Sequence, residues 1–188
     1  MTEPRIVVMG ASAGAVEALS RILPSLPKEF PLPILVVVHL PPDRQSLLPS
    51  LFADKCHLHV KESEDKESAR SGVIYFAPNN YHLLVDGTGT LSLSVEEPVQ
   101  FSRPSIDVLF ESAAEAFGPR ALGIVLSGAS EDGAQGLRAI CDARGQGWVQ
   151  TPESAQVSIM PAAAFMACPV AEKLTLEDIA ERLRSFAN

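Results

Sequence analysis

The chain has 188 residues, 46% of them hydrophobic and 20% charged, which is enough to bury one substantial core but too short for two ordinary domains. A formal net charge of −8 argues against binding to nucleic acid or anionic membranes, which requires a dense basic surface. No apolar stretch reaches the ~18 residues of a membrane helix, and the N-terminus lacks the pattern of a signal peptide. We therefore expect a single soluble, cytoplasmic domain over residues 1–188, with no membrane insertion.

The cysteines are odd in number and widely spaced, at Cys56, Cys141 and Cys168, with no C-x-x-C pair. This pattern fits a reducing compartment better than a disulfide framework. We expect all three to be small, buried apolar residues. His57 and His59 lie near Cys56, but no second cluster of ligands completes a four-ligand metal site, so neither a metal nor another cofactor is expected.

Short apolar strands alternate with amphipathic helices in the first third of the chain. The spacing predicts a strand over 5–9, a helix over 14–26, a strand over 33–39 and a helix over 44–53. The second strand contains the uninterrupted run Ile34 to Val38, which is typical of a strand buried on both faces, and Pro41-Pro42 ends it.

The middle of the chain is interpreted as β-hairpin and the remainder as a return to α/β alternation. Short strands are predicted over 72–77, 82–85 and 91–95, with a hairpin at the sheet edge. The elements predicted after Ser105 are helices over 105–116, 133–143, 160–168 and 176–186, the last capped by Thr175, and strands over 122–126 and 147–150. The predicted fold is α/β: a doubly wound, mostly parallel sheet with helices on both faces and a β-hairpin at the edge.

Gly10-Ala-Ser12-Ala-Gly14 has the pattern G-x-S-x-G and lies between the first predicted strand and helix. In that context a sharp turn exposes a serine hydroxyl at a helix N-terminus, and the adjacent amide of Ala13 is a natural oxyanion donor. Two alternatives are a dinucleotide-binding turn, which would have glycine where Ser12 stands, and a purely structural helix cap. The favoured interpretation is that Ser12 is a nucleophile.

A serine nucleophile needs a base within ~3 Å and a third group that holds the base in the correct tautomer. Of the four histidines, His39 alone ends a buried, central strand at the same edge as Ser12. We therefore predict that His39 is the general base. The alternative is a structural histidine that bonds loop backbone.

The turn over 126–134 is rich in small residues and carries two carboxylates, Glu131 and Asp132. Asp132 is predicted to orient His39, because serine, histidine and aspartate each follow an apolar strand, where an open α/β sheet gathers its site. Alternatively, Asp132 is only the N-cap of the next helix. The order Ser, His, Asp differs from that of α/β-hydrolases, so that fold is not inferred.

Six segments in one order also carry a resemblance to a known family: Val8 to Gly14, Val38 to Pro42, Gly72 to Pro78 followed by His82, Arg103 to Phe110, Gly123 to Ala134, and Met160 to Ala164. From about Ile6 to the last helix, the chain resembles the catalytic domain of bacterial chemotaxis protein-glutamate methylesterases, the CheB family. So many matching segments make the resemblance specific.

The resemblance implies hydrolysis of glutamate methyl esters on the cytoplasmic helices of methyl-accepting chemoreceptors, with some members also deamidating glutamine there. Ser12, His39 and Asp132 fall on the family's triad positions. A backbone amide at Ala129 is implied as a second oxyanion donor beside that of Ala13.

This chain departs from the family pattern in several places. Ala13 and Ala15 stand where threonine and a glycine are usual, and Ala129 replaces a methionine, so lower activity or another substrate stays open. The first predicted strand begins at Arg5, which leaves no room for the phosphorylatable receiver domain common in the family. Two alternative functions are an esterase or amidase of a non-chemotaxis signalling system and a non-enzymatic regulatory binding module.

Overall fold

A computed structural model describes residues 2–40 and 46–187. Its strands are Ile6–Ala11 (β1), Ile34–Val38 (β2), His59–Glu62 (β3), Val73–Phe76 (β4), His82–Val85 (β5), Leu91–Ser94 (β6), Ala121–Val125 (β7), Gln146–Gln150 (β8) and Glu172–Leu174 (β9). Its α-helices are Ala15–Ile22 (α1), Leu48–Ala53 (α2), Ile106–Phe117 (α3), Ala134–Asp142 (α4), Ile159–Ala167 (α5) and Leu176–Ser185 (α6).

Seven strands form one sheet in the order β3-β4-β2-β1-β7-β8-β9, and all neighbouring pairs are parallel. β1, β2 and β7 are buried along their whole length, as expected of apolar strands covered on both faces. One core lies between the sheet and α1, α2 and α6, and the other between the sheet and α3, α4 and α5. The predicted doubly wound α/β fold is confirmed.

β5 and β6 form the predicted antiparallel hairpin, which is a separate two-stranded sheet. The hairpin packs on α3, where the amide of Val85 donates to Ser112 Oγ at 3.1 Å. The prediction for 72–77 was wrong in one respect, because β4 is not part of the hairpin section and instead lies between β3 and β2 in the main sheet. The reason is that Ile74 and Phe76 face one core while Tyr75 faces the other.

The helix boundaries follow local capping and chain connections. Thr175 caps α6 as predicted, since its hydroxyl accepts from the amide of Asp178, whose carboxylate in turn accepts from the Thr175 amide. α2 begins at Leu48, whereas the predicted helix start at Arg44 and the Pro41-Pro42 stop lie outside the described residues. Within residues 2–40 and 46–187, no helix has both the length and the apolar character to cross a membrane.

The prediction of three buried cysteines outside any disulfide was wrong in two ways, because two of them are disulfide-bonded and the third is only half-buried. Cys141 and Cys168 form a disulfide that joins the end of α4 to the end of α5. These helices cover the same face of the sheet, a proximity that a separation of 27 residues along the chain does not reveal. Cys56 is free and half-buried, and burial raises the pKa of its thiol to about 11, so it stays protonated near neutral pH.

Candidate active site

The three sequence-predicted site residues follow three adjacent strands at the centre of the sheet. β1 lies between β2 and β7, with Ala11 opposite Val38 and Gly10 opposite Val125. Beyond the strands the register continues, because the His39 amide donates to the Ala11 carbonyl at 3.1 Å and the Ser12 amide donates to the Ser127 carbonyl at 2.9 Å. The loops bearing Ser12, His39 and Asp132 therefore meet at one edge, where the strand order reverses direction.

The serine turn, which we define as residues 11–15, reverses the chain between β1 and α1. Gly14 is its left-handed residue, with φ of 85°, and a Cβ added there would lie 2.7 Å from Ser127 Oγ. Ser127 anchors the serine turn, because its hydroxyl donates to the Ala13 carbonyl at 2.7 Å. The Ser12 side chain is half-buried, and none of the described residues forms a hydrogen bond with its hydroxyl. The turn thus fixes the Ser12 backbone and leaves the hydroxyl available.

Asp132 is fully buried and accepts four hydrogen bonds. His39 Nε2 donates to Oδ2 at 2.7 Å, and the Ile106 amide donates to the same oxygen at 2.7 Å. The Ser105 hydroxyl and the Asp107 amide each donate to Oδ1 at 2.9 Å. Burial raises the pKa of Asp132, but the bonds from His39 and from the two amides lower it by more, so its net pKa lies below the usual range.

Asp132 does cap a helix, but not the one that follows it. Its carboxylate accepts from the first amides of α3, whereas Gly133 is the N-cap of α4 and provides no side chain. Asp107, in the first turn of α3, supplies the missing acceptor, because its Oδ1 accepts from the amides of Gly133 at 2.9 Å and Gly136 at 2.7 Å. Two helices therefore exchange capping carboxylates, and the predicted N-cap alternative for Asp132 does not describe the structure.

Asp107 differs from Asp132 in its electrostatics. It is also buried, and Gln100 Nε2 donates to its second oxygen at 3.0 Å. Burial raises its pKa from 3.8 to about 6, and the nearby charge of Asp132 adds to this effect, although the Gly136 and Gly133 amides oppose it. Of the two carboxylates, Asp132, which bonds the imidazole, has the lower pKa and stays ionised to a lower pH.

His39 and Ser12 line one open cavity of about 480 Å³, together with apolar side chains of α1 and α2 and with Gln156. This volume lies within the range of small-ligand pockets, and it suffices for a side chain reaching in from a protein surface. Because His39 Nε2 is bonded to Asp132, Nδ1 is the ring nitrogen left to accept a proton from a serine hydroxyl.

Two further backbone amides predicted for the site are unengaged. Ala13 and Ala129 are exposed, and no described residue accepts a hydrogen bond from either amide. Ala129 follows Gly128, whose amide and carbonyl are bonded to Val157 and Met160. The loop is therefore anchored on one side of Ala129 by α5 and on the other by buried Asp132.

The supporting roles of Ser105 and Asp107 were not predicted from the sequence. Their signal was the start of a predicted helix at Ser105, since serine is a common N-cap, and its hydroxyl does lie 3.5 Å from the Val108 amide. Nothing in the local sequence showed that the N-terminus of this helix would meet Asp132. Within the described part of the chain, no cluster of three or more His, Cys, Asp or Glu side chains is arranged to hold a metal ion.

Comparison with known proteins places the chain beside one group of enzymes. The sequence model of the family described as CheB methylesterase matches residues 7–183. A Leptospira interrogans protein, provisionally named protein-glutamate methylesterase/protein-glutamine glutaminase, is 44% identical over 175 residues, which are 93% of this chain and 91% of that protein. The enzyme of that name from Halalkalibacterium halodurans is 38% identical over 95% of this chain, which spans only 52% of that longer protein.

A solved structure shows the same fold. The CheB methylesterase catalytic domain of Thermotoga maritima superposes with a TM-score of 0.91 and 31% sequence identity, covering 98% of this chain and 99% of that domain.

Proposed function

Because the chain belongs to the CheB methylesterase family, we propose that it hydrolyses glutamate methyl esters on the cytoplasmic helices of chemoreceptors through a triad of Ser12, His39 and Asp132. The observation that carries the proposal is the 2.7 Å bond between buried Asp132 and His39, at the wall of the cavity that Ser12 also lines. Acyl transfer by a serine requires a base held by an ionised carboxylate, and Asp132 and His39 form such a pair in the wall of the cavity that Ser12 lines.

In the first step, Ser12 Oγ attacks the ester carbonyl while His39 Nδ1 takes the hydroxyl proton. The tetrahedral intermediate collapses, its bond to the methoxy oxygen breaks, and His39 returns the proton so that methanol leaves. A water molecule then loses a proton to His39 and attacks the glutamyl ester of Ser12. This second collapse frees the glutamate carboxylate, returns the hydrogen to Ser12 and releases one proton overall.

Asp132 acts on the base and not on the substrate. Its pKa is lowered, so the carboxylate is ionised at neutral pH and stabilises the imidazolium that forms in each step. The bonds from Ser105, Ile106 and Asp107 prevent the carboxylate from rotating away from His39. The base is thereby held in one tautomer, with the proton on Nε2.

The oxyanion is stabilised by backbone amides in this proposal. The Ala13 and Ala129 amides have no acceptor among the described residues, as is required of donors reserved for a transition state. Neither role depends on a side chain, so the alanines at 13 and 129 are compatible with catalysis. The same intermediate forms from a glutamine amide, with ammonia as leaving group, which would account for deamidation.

The test is methanol release from a methylated chemoreceptor cytoplasmic fragment. We expect release by the wild type, a fall of roughly 10⁴-fold or more for Ser12→Ala and His39→Ala, and no change for Ser185→Ala on the exposed end of α6. Release by a folded Ser12→Ala protein at the wild-type rate would refute the triad.

The same samples discriminate the two alternative functions. A chain that releases no methanol but reacts at Ser12 with a fluorophosphonate probe is a hydrolase for another ester or amide. A chain that binds receptor helices but fails to react with the probe is a regulatory binding module.

A further inference from the structure

A second, smaller cavity adjoins the candidate active site at His39 and Leu40. It has a volume of about 170 Å³, and His39 and Leu40 line both cavities. Its remaining wall includes Asn80, Phe101 and Arg103. This volume is below the range for small-molecule ligands but is sufficient for the end of one polar side chain.

Arg103 is the charged residue in this wall, and part of its hydrogen-bonding capacity is unused. Nη1 donates to the carbonyls of Val95 and Glu96 at 2.9 and 3.0 Å, which holds the guanidinium in place. Nε is buried, and none of the described residues accepts from it. Arg103 also forms no ion pair with any described carboxylate. Nη2 also donates to none of the described residues and, unlike Nε, is not fully buried, so it is the part of the guanidinium that an acceptor in the cavity can reach.

We infer that the Arg103 cavity binds a carboxylate side chain of the protein substrate, one helical turn away from the ester that reacts at Ser12. This inference rests on the proposed function and names a determinant of its substrate specificity. A carboxylate is the preferred partner, since a hydrogen bond between a guanidinium N–H and an ionised oxygen is roughly twice as strong as one between neutral groups.

The geometry of a helical substrate supports this assignment. Side chains three or four residues apart on a helix lie on one face with Cβ atoms about 5–6 Å apart. Two cavities that share His39 and Leu40 as a common wall can each accept one of such a pair. One side chain presents the methyl ester to Ser12, and its neighbour presents a carboxylate to Arg103.

The net charge of the chain and the exposure of Phe101 also support a carboxylate site at this cavity. The chain carries a net charge of −8, so it offers a carboxylate no long-range attraction, and a local cation beside the site is the group that would bind one. Phe101, at the rim of the same cavity, is fully exposed and has a left-handed φ of 65°, next to Gln100 with φ of 47°. Such a conformation is unfavourable for a bulky residue and commonly occurs where a surface meets a ligand.

Two helical peptides provide the test, each with one glutamate methyl ester and either Glu or Gln at the positions three and four residues on both sides. We expect the wild type to show a kcat/KM about 10- to 100-fold higher on the Glu peptide, as for hydrogen bonds to a charged group. Arg103→Gln is expected to remove this preference, so that the ratio of kcat/KM on the two peptides falls to about one. Arg138→Gln, on the exposed face of α4, makes the same change of charge and retains the preference.

Arg103→Gln also affects local structure, so Arg103→Lys is the second variant, because an ammonium group can still donate to the carbonyls that Nη1 contacts. It keeps the charge but lacks the separate Nη2 donor, and we expect an intermediate preference. An equal fall of kcat/KM on both peptides, or a wild type that does not distinguish them, overturns the inference.

A binding measurement separates this inference from the proposed function. The anisotropy of labelled peptides with the Ser12→Ala protein reports affinity without turnover. Tighter binding of the Glu peptide that disappears on adding Arg103→Gln supports the inference, even where the wild type releases no methanol. Equal binding of both peptides overturns it, even where the wild type is an active methylesterase.

Discussion

The serine turn and the environment of Asp132 lie at the same edge of the sheet but are constructed differently. Asp132 is fully buried and accepts four hydrogen bonds, whereas the Ser12 hydroxyl is half-exposed and has no partner among the described residues. The position of the carboxylate is thus determined by the same contacts that hold α3 and α4 together. The proposed nucleophile contributes nothing to those contacts, so folding and reactivity are coupled at one residue and separate at the other.

The sharpest way to break this comparison is to replace each residue and measure both activity and stability. We expect Asp132→Asn to lower kcat by about 10⁴-fold and also to lower the free energy of unfolding by about 3 kcal/mol, because buried donors lose a charged acceptor. Ser12→Ala is expected to be at least as inactive but to unfold within about 0.5 kcal/mol of the wild type. Urea denaturation provides the free energies. Equal free energies of unfolding for the two variants would show that Asp132 contributes no more to the stability of the fold than Ser12 does.

Reduction of the disulfide tests whether the environment of Asp132 depends on more distant support. Cys141 and Cys168 close a segment of 27 residues, and loss of such a cross-link is expected to cost about 3 kcal/mol in the free energy of unfolding. We expect esterase activity below the melting temperature to be unchanged, because the carboxylate is held by contacts of α3 and not by the far end of α4. Thermal denaturation with and without a thiol reductant provides the measurement, with Cys56→Ala as control. A fall in kcat on reduction would show that the position of Asp132 depends on the disulfide as well as on α3.

The two buried carboxylates are expected to give stability opposite dependences on pH. The pKa of Asp107 is raised from 3.8 to about 6, so between these values the folded state binds more protons than the unfolded state. The free energy of unfolding should therefore fall as pH rises from about 4 to 6, by at most about 3 kcal/mol, and level off above that. The pKa of Asp132 is lowered, so its contribution is present near neutral pH and is lost as the pH falls below 4.

Asp107→Asn isolates the first of these effects. Denaturation curves between pH 4 and 7 should show the slope between 4 and 6 in the wild type and its loss in the variant. Parallel curves for the two proteins would mean that Asp107 titrates normally.

The smallest expected effect concerns the link between the two regions. Ser127 Oγ accepts from the Val157 amide at 2.9 Å and donates to the Ala13 carbonyl at 2.7 Å. Ser127→Ala leaves both groups without that partner, and we expect a loss of about 1–2 kcal/mol in the free energy of unfolding and a fall of up to about tenfold in kcat. Ser154→Ala, whose hydroxyl bonds an exposed carbonyl, is the matched control. An unchanged kcat would show that the serine turn does not need this support.

Much of the sheet and of the position of the candidate site could be predicted from the apolar runs in the sequence. The runs that end at Ala11, Val38 and Val125 are the central strands of the sheet, so the loops after them were predicted correctly to share one edge. The four-residue strand β4 was assigned to the wrong section because so short a segment carries no information about its neighbours. The roles of Ser105 and Asp107 depend on how α3 docks against α4, which no local pattern encodes.

The exchange of capping carboxylates between α3 and α4 also bears on how this chain would decay under relaxed selection. A descendant no longer required to catalyse can replace Ser12 freely, whereas a replacement of Asp132 uncaps α3 and leaves the His39 imidazole without its acceptor. Relatives that have lost catalytic function are therefore expected to lose the serine first and to retain the aspartate, because it stabilises the fold. An intact aspartate in a relative is therefore evidence of a preserved fold, whereas an intact serine is evidence of preserved chemistry.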